Sequence, residues 1–181
     1  MQTIATPDTR TQAPARSQVP SPPATAAVIP DGIPARIRGL DQWTAWRWKW
    51  TGKPKKPFTK VPVNIHTGGG ASSTNPATWG SFAAAYAYAD AHALPGVGIM
   101  LSDGDDLVGI DRDDCVDPET GAVEATVAAD VAALDSYTEF SVSGTGVHTL
   151  VSGVKPPGRC KEGPIEIYSQ ARFFVCTGLA A

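Results

Sequence analysis

The chain has 181 residues, 42% of them hydrophobic and five of them Trp, with a formal net charge of −3. That is enough apolar material for the core of one domain and excludes a protein that coats nucleic acid by net charge alone. The charge is segregated, however: Arg36 to Lys60 holds eight basic residues against one acid, Asp41, whereas Asp103 to Glu139 holds twelve acids against one cation, Arg112. Such a chain can hold phosphates on one side and divalent cations on the other, or it can solvate two faces of opposite sign. The three cysteines, Cys115, Cys160 and Cys176, are widely spaced, with no CxxC and no His at zinc-ligand spacing, so no zinc is expected. No apolar run reaches membrane-spanning length and no hydrophobic signal region opens the chain, which leads to the expectation of a cytoplasmic protein with no membrane partner.

Residues 1–30 are rich in Pro, Ala, Thr and Ser and lack apolar periodicity. They cannot bury enough surface to offset chain entropy and are expected to form a disordered tail. Residues 31–181 are expected to form one domain. QWTAWRWKW (42–50) alternates, placing Trp46, Trp48 and Trp50 on one strand face and Arg47 and Lys49 on the other; the reading is core aromatics with cations turned to water. TGKPKKPFTK should break regular structure, VPVN reads as a short strand, HTGGGASST as a loop, and NPATW as the opening of a helix that runs to about Ala91.

VGIML (97–101) and LVGID (107–111), joined by the polar turn SDGDD, read as a β-hairpin. A second helix is expected over 122–134. SYTEFSVSGTGVHTLVSG reads as strand, SGTG turn, strand, and PIEIY (164–168) and RFFVC (172–176) supply two more strands. Strands joined mostly by hairpins predict an α+β fold with a largely antiparallel sheet and helices packed on it.

The acidic stretch VGIDRDDCVD does not fit a calcium-binding EF-hand loop. Counting from Asp111, position 5 is Cys115, position 6 is Val116 and position 12 is Ala122, where oxygen ligands, Gly and Glu are required. What remains is Asp-x-Asp at the end of an apolar strand. Residues two apart share a face, so Asp111 and Asp113 project together, and two carboxylates so placed repel each other unless a cation lies between them. On these residues alone a metal site and an exposed turn, with Asp114 and Asp117 solvating it, both stay open. His148 lies on an apolar strand beside the Gly/Ser-rich turn, where it is either a hydrogen-bonded structural residue or a donor to a phosphate oxygen. Glu166, between Ile165 and Ile167, needs a partner in so apolar a strand: a metal shared with Asp111 and Asp113, or Arg172.

In this order, hydrophobic-Gly-Ile-Asp-x-Asp, Ser-Gly-x-Gly-hydrophobic-His, and Ile-Glu-Ile-Tyr followed by Arg-Phe-Phe and Thr-Gly resemble the three motifs of the archaeo-eukaryotic primase superfamily. More narrowly the chain is similar to the primase–polymerase (bifunctional DNA primase/polymerase N-terminal) domains of phage and plasmid replication proteins, over about Ile33 to Gly178. The resemblance implies an RRM-like antiparallel sheet carrying the acids, with a smaller N-terminal α/β unit. It implies that Asp111, Asp113 and Glu166 bind two Mg²⁺ or Mn²⁺ ions, and that His148 contacts the phosphates of the incoming nucleotide. Ser143, Gly144, Thr145 and Gly146 form the same nucleotide-binding turn, to which Arg172 is added. The implied activity is template-directed nucleotidyl transfer in phage or plasmid replication, in the cytoplasm of a bacterial or other prokaryotic cell. The partners are single-stranded DNA template, NTPs or dNTPs, and a helicase or other replication protein in trans. Arg47, Lys49, Lys53, Lys55, Lys56 and Lys60 are the expected template surface.

Two departures qualify the pattern. Thr145 stands where many relatives carry a basic residue, a phosphate contact that Lys155, Arg159 or Lys161 could replace. Relatives also continue past the TGLAA at which this sequence stops, so a C-terminally truncated domain is expected. A nucleotide- or single-stranded-DNA-binding fragment with little or no turnover is the alternative reading.

Overall fold

The computed structural model describes residues 19–181. The expected tail falls largely outside them; residues 19–29 contain no helix or strand, and there Thr25 accepts a hydrogen bond from Trp48 Nε1 (3.3 Å) while the Ile29 N–H donates to Thr177 O (2.7 Å). A short helix α1 (Ala35–Arg38) leads into β1 (Trp43–Lys53) and β2 (Lys56–Val63). These two pair from Ala45↔Val63 to Lys53↔Lys56 around a two-residue turn, so TGKPKKPFTK lies within the hairpin, and the expected break is reduced to that turn and a register shift between Trp50 and Lys53. Pro57 and Pro62 are tolerated because β2 is an edge strand.

The helix expected from NPATW starts later. Pro76–Thr78 form a 3₁₀ turn, Trp43 and Gly80 exchange both backbone hydrogen bonds, and only then does Ser81 cap α2 (Phe82–Ala91) by accepting from the Ala84 N–H. Phe82, Ala85 and Ala89 form its buried stripe, with Phe82 edge-on to Trp43 at 4.9 Å.

The remaining elements are β3 (Gly96–Leu101), β4 (Leu107–Arg112), α3 (Ala125–Leu134), β5 (Tyr137–Phe140), β6 (Val147–Ser152), β7 (Lys161–Glu162), β8 (Ile165–Tyr168) and β9 (Arg172–Cys176). They complete two sheets, of order β2-β1-β3-β9 and β5-β6-β4-β8-β7, in which every pairing is antiparallel. The fold is α+β, as expected, and β5–β6 is the expected hairpin.

The hairpin expected between 97–101 and 107–111 does not exist. The two strands part at the SDGDD turn: β3 pairs with β1 and β9 in the smaller sheet, β4 with β6 and β8 in the larger. The reason lies in what fills the gap between them. Phe174, on β9, is seated over Gly109 of β4, where a Cβ would lie 2.7 Å from its ring, and against His148 at 5.2 Å between centroids. A glycine at this point of β4 lets the edge strand of one sheet lie against the face of the other. Helix α3 covers the opposite face of the larger sheet, with Val127 packed among Cys115, Val116 and Val147 and Arg112 paired to Asp130 at 2.6 Å.

Candidate active site

The register of the larger sheet assembles the site. Asp111 lies opposite His148 on one side and opposite Glu166 on the other, Glu139 lies opposite His148, and Lys161 opposite Glu166. Directly opposed residues in an antiparallel ladder share a face. Glu139, His148, Asp111, Glu166 and Lys161 therefore form one row across all five strands. Asp113, two residues beyond Asp111, projects to the same side, and Arg112 points away to α3.

Within the row the polar atoms are unevenly satisfied. Glu166 is buried and held on three sides: Lys161 donates to one carboxylate oxygen, while Tyr168 OH and Arg172 both reach the other at 2.7 Å, with the Arg172 guanidinium 4.3 Å above the Tyr168 ring. Lys161, then the Tyr168 hydroxyl and Arg172, hold the Glu166 carboxyl below its ordinary range. Burial by itself would raise the Asp111 carboxyl, but His148, Arg172 and Lys60 together bring it below its ordinary value. Asp113 is pushed the other way, by desolvation and then by repulsion from Asp111 and Glu166.

His148 Nε2 lies 3.3 Å from Asp111 Oδ1 without hydrogen-bond geometry. Asp111 Oδ1 and His148 Nδ1 are thus buried without a hydrogen-bond partner among the described residues. A buried carboxylate oxygen that accepts no hydrogen bond among the described residues, beside a second carboxylate that repels it, suits a divalent cation, and the all-oxygen donor set suits Mg²⁺ or Mn²⁺. Glu166 fits as a further ligand through the oxygen that Lys161 holds, where a cation would compete with the ammonium. As placed, no group of three or more His, Cys, Asp or Glu among the described residues closes around a metal position.

The 143–146 turn joins β5 to β6 just beyond the pair Phe140↔Val147, which adjoins Glu139↔His148 of the row. Ser143 and Gly144 are exposed, and the Ser143 hydroxyl is within hydrogen-bond distance of Ser141 Oγ (2.8 Å) and Thr145 Oγ1 (3.1 Å). Thr145 has a structural task, its carbonyl accepting from the Cys115 and Val116 N–H groups at 2.9 and 3.1 Å. Gly146 is required by the neighbouring strand, since a Cβ there would collide with the Arg112 carbonyl. Of the basic residues named as substitutes for a missing turn cation, Lys161 reaches the row, whereas Lys155 bonds the carbonyls of Pro156 and Gly158 and Arg159 is exposed.

A cleft of about 650 Å³ lies between this row and the β1–β2 hairpin. The row contributes Asp111, His148, Glu166 and Lys161 to its lining, with Asp113 beside them, and the hairpin contributes Trp48, Lys56, Phe58 and Lys60. The six expected template residues therefore separate. Lys56 and Lys60 line the cleft; Arg47 and Lys49 belong to the other face of the hairpin and are exposed; Lys53 precedes its turn and Lys55 lies within it. Burial lowers the Lys60 ammonium, against the pull of Asp111. The aromatic series emerges progressively from the core, with Trp46 buried, Trp48 half-buried and Trp50 39% exposed, because β1 outruns β3 after the pair Trp46↔Gly96.

Glu139 is the member of the row that the sequence reading passed over. It is 1% exposed, and its Oε2 accepts from Tyr137 OH, Thr177 N–H (2.8 Å), Thr177 Oγ1 and Gly178 N–H (2.9 Å). The signal was present: once SGTG is a hairpin turn, Glu139 falls opposite His148.

No family model matches the chain. It is 35% identical over 154 residues to a protein named DNA Primase-polymerase from Nitratiruptor phage NrS-1, a match that covers 81% of this chain and 20% of the relative. The chain thus spans about a fifth of the length of that relative. The match agrees with the resemblance carried by the three motifs and supports a primase–polymerase domain. No helix among the described residues is long and apolar enough to cross a membrane.

Proposed function

We propose that residues 31–181 carry out template-directed nucleotidyl transfer in phage or plasmid replication, using NTPs or dNTPs on a single-stranded DNA template. The observation that carries this reading is the register that sets Asp111 between His148 and Glu166 on one sheet face. The similarity to a phage primase-polymerase supports it. Asp111, Asp113 and, once released by Lys161, Glu166 would hold two Mg²⁺ or Mn²⁺ ions. Bound there, the metal would acidify a 3′-hydroxyl and stabilise the charge of the departing pyrophosphate. His148, whose Nδ1 lacks a partner among the described residues, and the exposed Ser143–Gly144 end of the turn would hold the triphosphate. Arg172 would neutralise the same region. Arg47, Lys49, Lys53 and Lys55 would track the template backbone, and a helicase or other replication protein in trans would open it.

The test is primer extension on single-stranded template with Mg²⁺ or Mn²⁺, comparing the wild type with Asp111→Ala and Asp113→Ala. Loss of incorporation in both variants, with the folded state retained, is the expected result; undiminished extension in both would overturn the assignment. A second reading rests on the Glu166 carboxylate being engaged by Lys161, Tyr168 and Arg172. On that reading the domain binds nucleotide or single-stranded DNA without turnover, and titration would detect binding while labelled nucleotide is never incorporated under either metal.

A further inference from the structure

The hairpin wall of the cleft differs in composition from the row it faces. Trp48 and Lys60 are direct cross-strand partners, so their side chains stand side by side on one face of the β1–β2 hairpin. Phe58, two residues before Lys60, continues that face, and its ring meets Trp48 edge-on at 6.3 Å between centroids. All three line the cleft opposite Asp111. Lys60 has no ion-pair partner among the described residues, although Glu166 across the cleft has two. A half-buried ammonium that faces Asp111 across the cleft without pairing to it among the described residues, beside an aromatic face, matches a ligand that brings phosphate and a planar ring together.

We propose that Lys60, with Trp48 and Phe58, is a binding subsite for a nucleoside triphosphate, Lys60 taking a phosphate oxygen and the aromatic pair the base. This separates Lys60 from the outward cations Arg47 and Lys49: one hairpin presents a nucleotide-binding face to the cleft and a strand-tracking face to solvent. The inference rests on the nucleotidyl-transfer reading, because it assumes that a nucleotide enters between the two walls.

The experiment is equilibrium binding without turnover. The probes are a nucleoside triphosphate with a non-hydrolysable α,β-bridge, inorganic tripolyphosphate, and a short oligothymidylate, each titrated with the whole chain in the presence of Mg²⁺. Lys60→Ala is expected to weaken the nucleotide and tripolyphosphate by roughly tenfold or more, the loss of one charge-assisted contact, and to leave the oligothymidylate within about twofold. Trp48→Ala is expected to weaken the nucleotide but not tripolyphosphate, and Lys60→Arg to restore part of the loss. Thermal unfolding of each variant shows whether a lost affinity is a lost fold. Unchanged nucleotide affinity in Lys60→Ala while the wild type binds would overturn the subsite alone. Equal weakening of nucleotide and oligothymidylate would also overturn it, returning Lys60 to the template surface. A wild type that binds no nucleotide would overturn both the subsite and the reading beneath it.

Discussion

The two walls of the cleft are built by opposite means. The carboxylate row stands on five strands drawn from residues 107–168, and each of its members is set by register against a neighbour, so Glu139, His148 and Glu166 are all buried. The facing wall is a single hairpin that outgrows its sheet, whose side chains grade from buried Trp46 to exposed Trp50 and Lys56. Polar groups fixed by many neighbours suit charge stabilisation, which depends on preorganisation. A locally built, half-exposed wall suits a ligand that changes at every cycle.

Four measurements probe this contrast, in descending order of effect. Asp111→Ala is expected to cut incorporation by at least roughly 100-fold, read as single-turnover extension, far beyond any single change on the outward hairpin face. Next, Glu139→Ala removes the acceptor of the Thr177 and Gly178 amides and should cost about 3 kcal/mol of stability, measured by urea unfolding. A loss under about 1 kcal/mol would mean that the row tolerates disconnection as the hairpin does.

The third probe is acid. The folded-state carboxyl of Glu166 lies below its ordinary value of 4.5 because of Lys161, Tyr168 and Arg172. The stability it contributes is therefore fully present above about 4.5 and is lost as pH falls through the lower folded value. Glu166→Gln should flatten the pH dependence of unfolding in that acid window, measured without divalent cations, and an unchanged acid limb would show that the pairing is idle. The smallest effect belongs to Arg47→Ala with Lys49→Ala. Stability should move by no more than about 0.5 kcal/mol, while oligonucleotide affinity falls by a few-fold with a shallower salt dependence.

What the sequence made legible was local. Strand parity placed Asp111 with Asp113 and turned Arg112 away, and the SGTG turn gave the β5–β6 hairpin. The basic cluster reads in sequence as one surface, and only the hairpin register, which pairs Trp48 with Lys60, sets Lys60 on the face away from Arg47 and Lys49. The pairings that decide the architecture lie far apart in sequence. SDGDD between two apolar runs has every local mark of a hairpin turn, and nothing near it says that β3 takes its partners from residues 43–46 and 172–176. The start of α2 was misjudged for a similar reason, because the Gly80 pairing with Trp43 competes with helix formation at NPATW. The cleft itself, formed by a hairpin and a row that meet only in three dimensions, has no sequence signature.

The path of the last strand has a consequence for how the molecule comes into being. β9 borders β3 in one sheet, and the residues after it run beside β5 of the other, with Phe140 N–H donating to Leu179 O and Ala181 N–H to Thr138 O. During synthesis, residues 43–101 can form three strands of the first sheet, but the outer edge of β3 stays open until residues 172–176 emerge, and Phe174 reaches His148 only then. An open strand edge invites pairing with other chains, and long-range pairing of this kind is slow. The edge of β3 is therefore exposed to such pairing until residues 172–176 emerge, and the wall that bears His148 gains Phe174 only then.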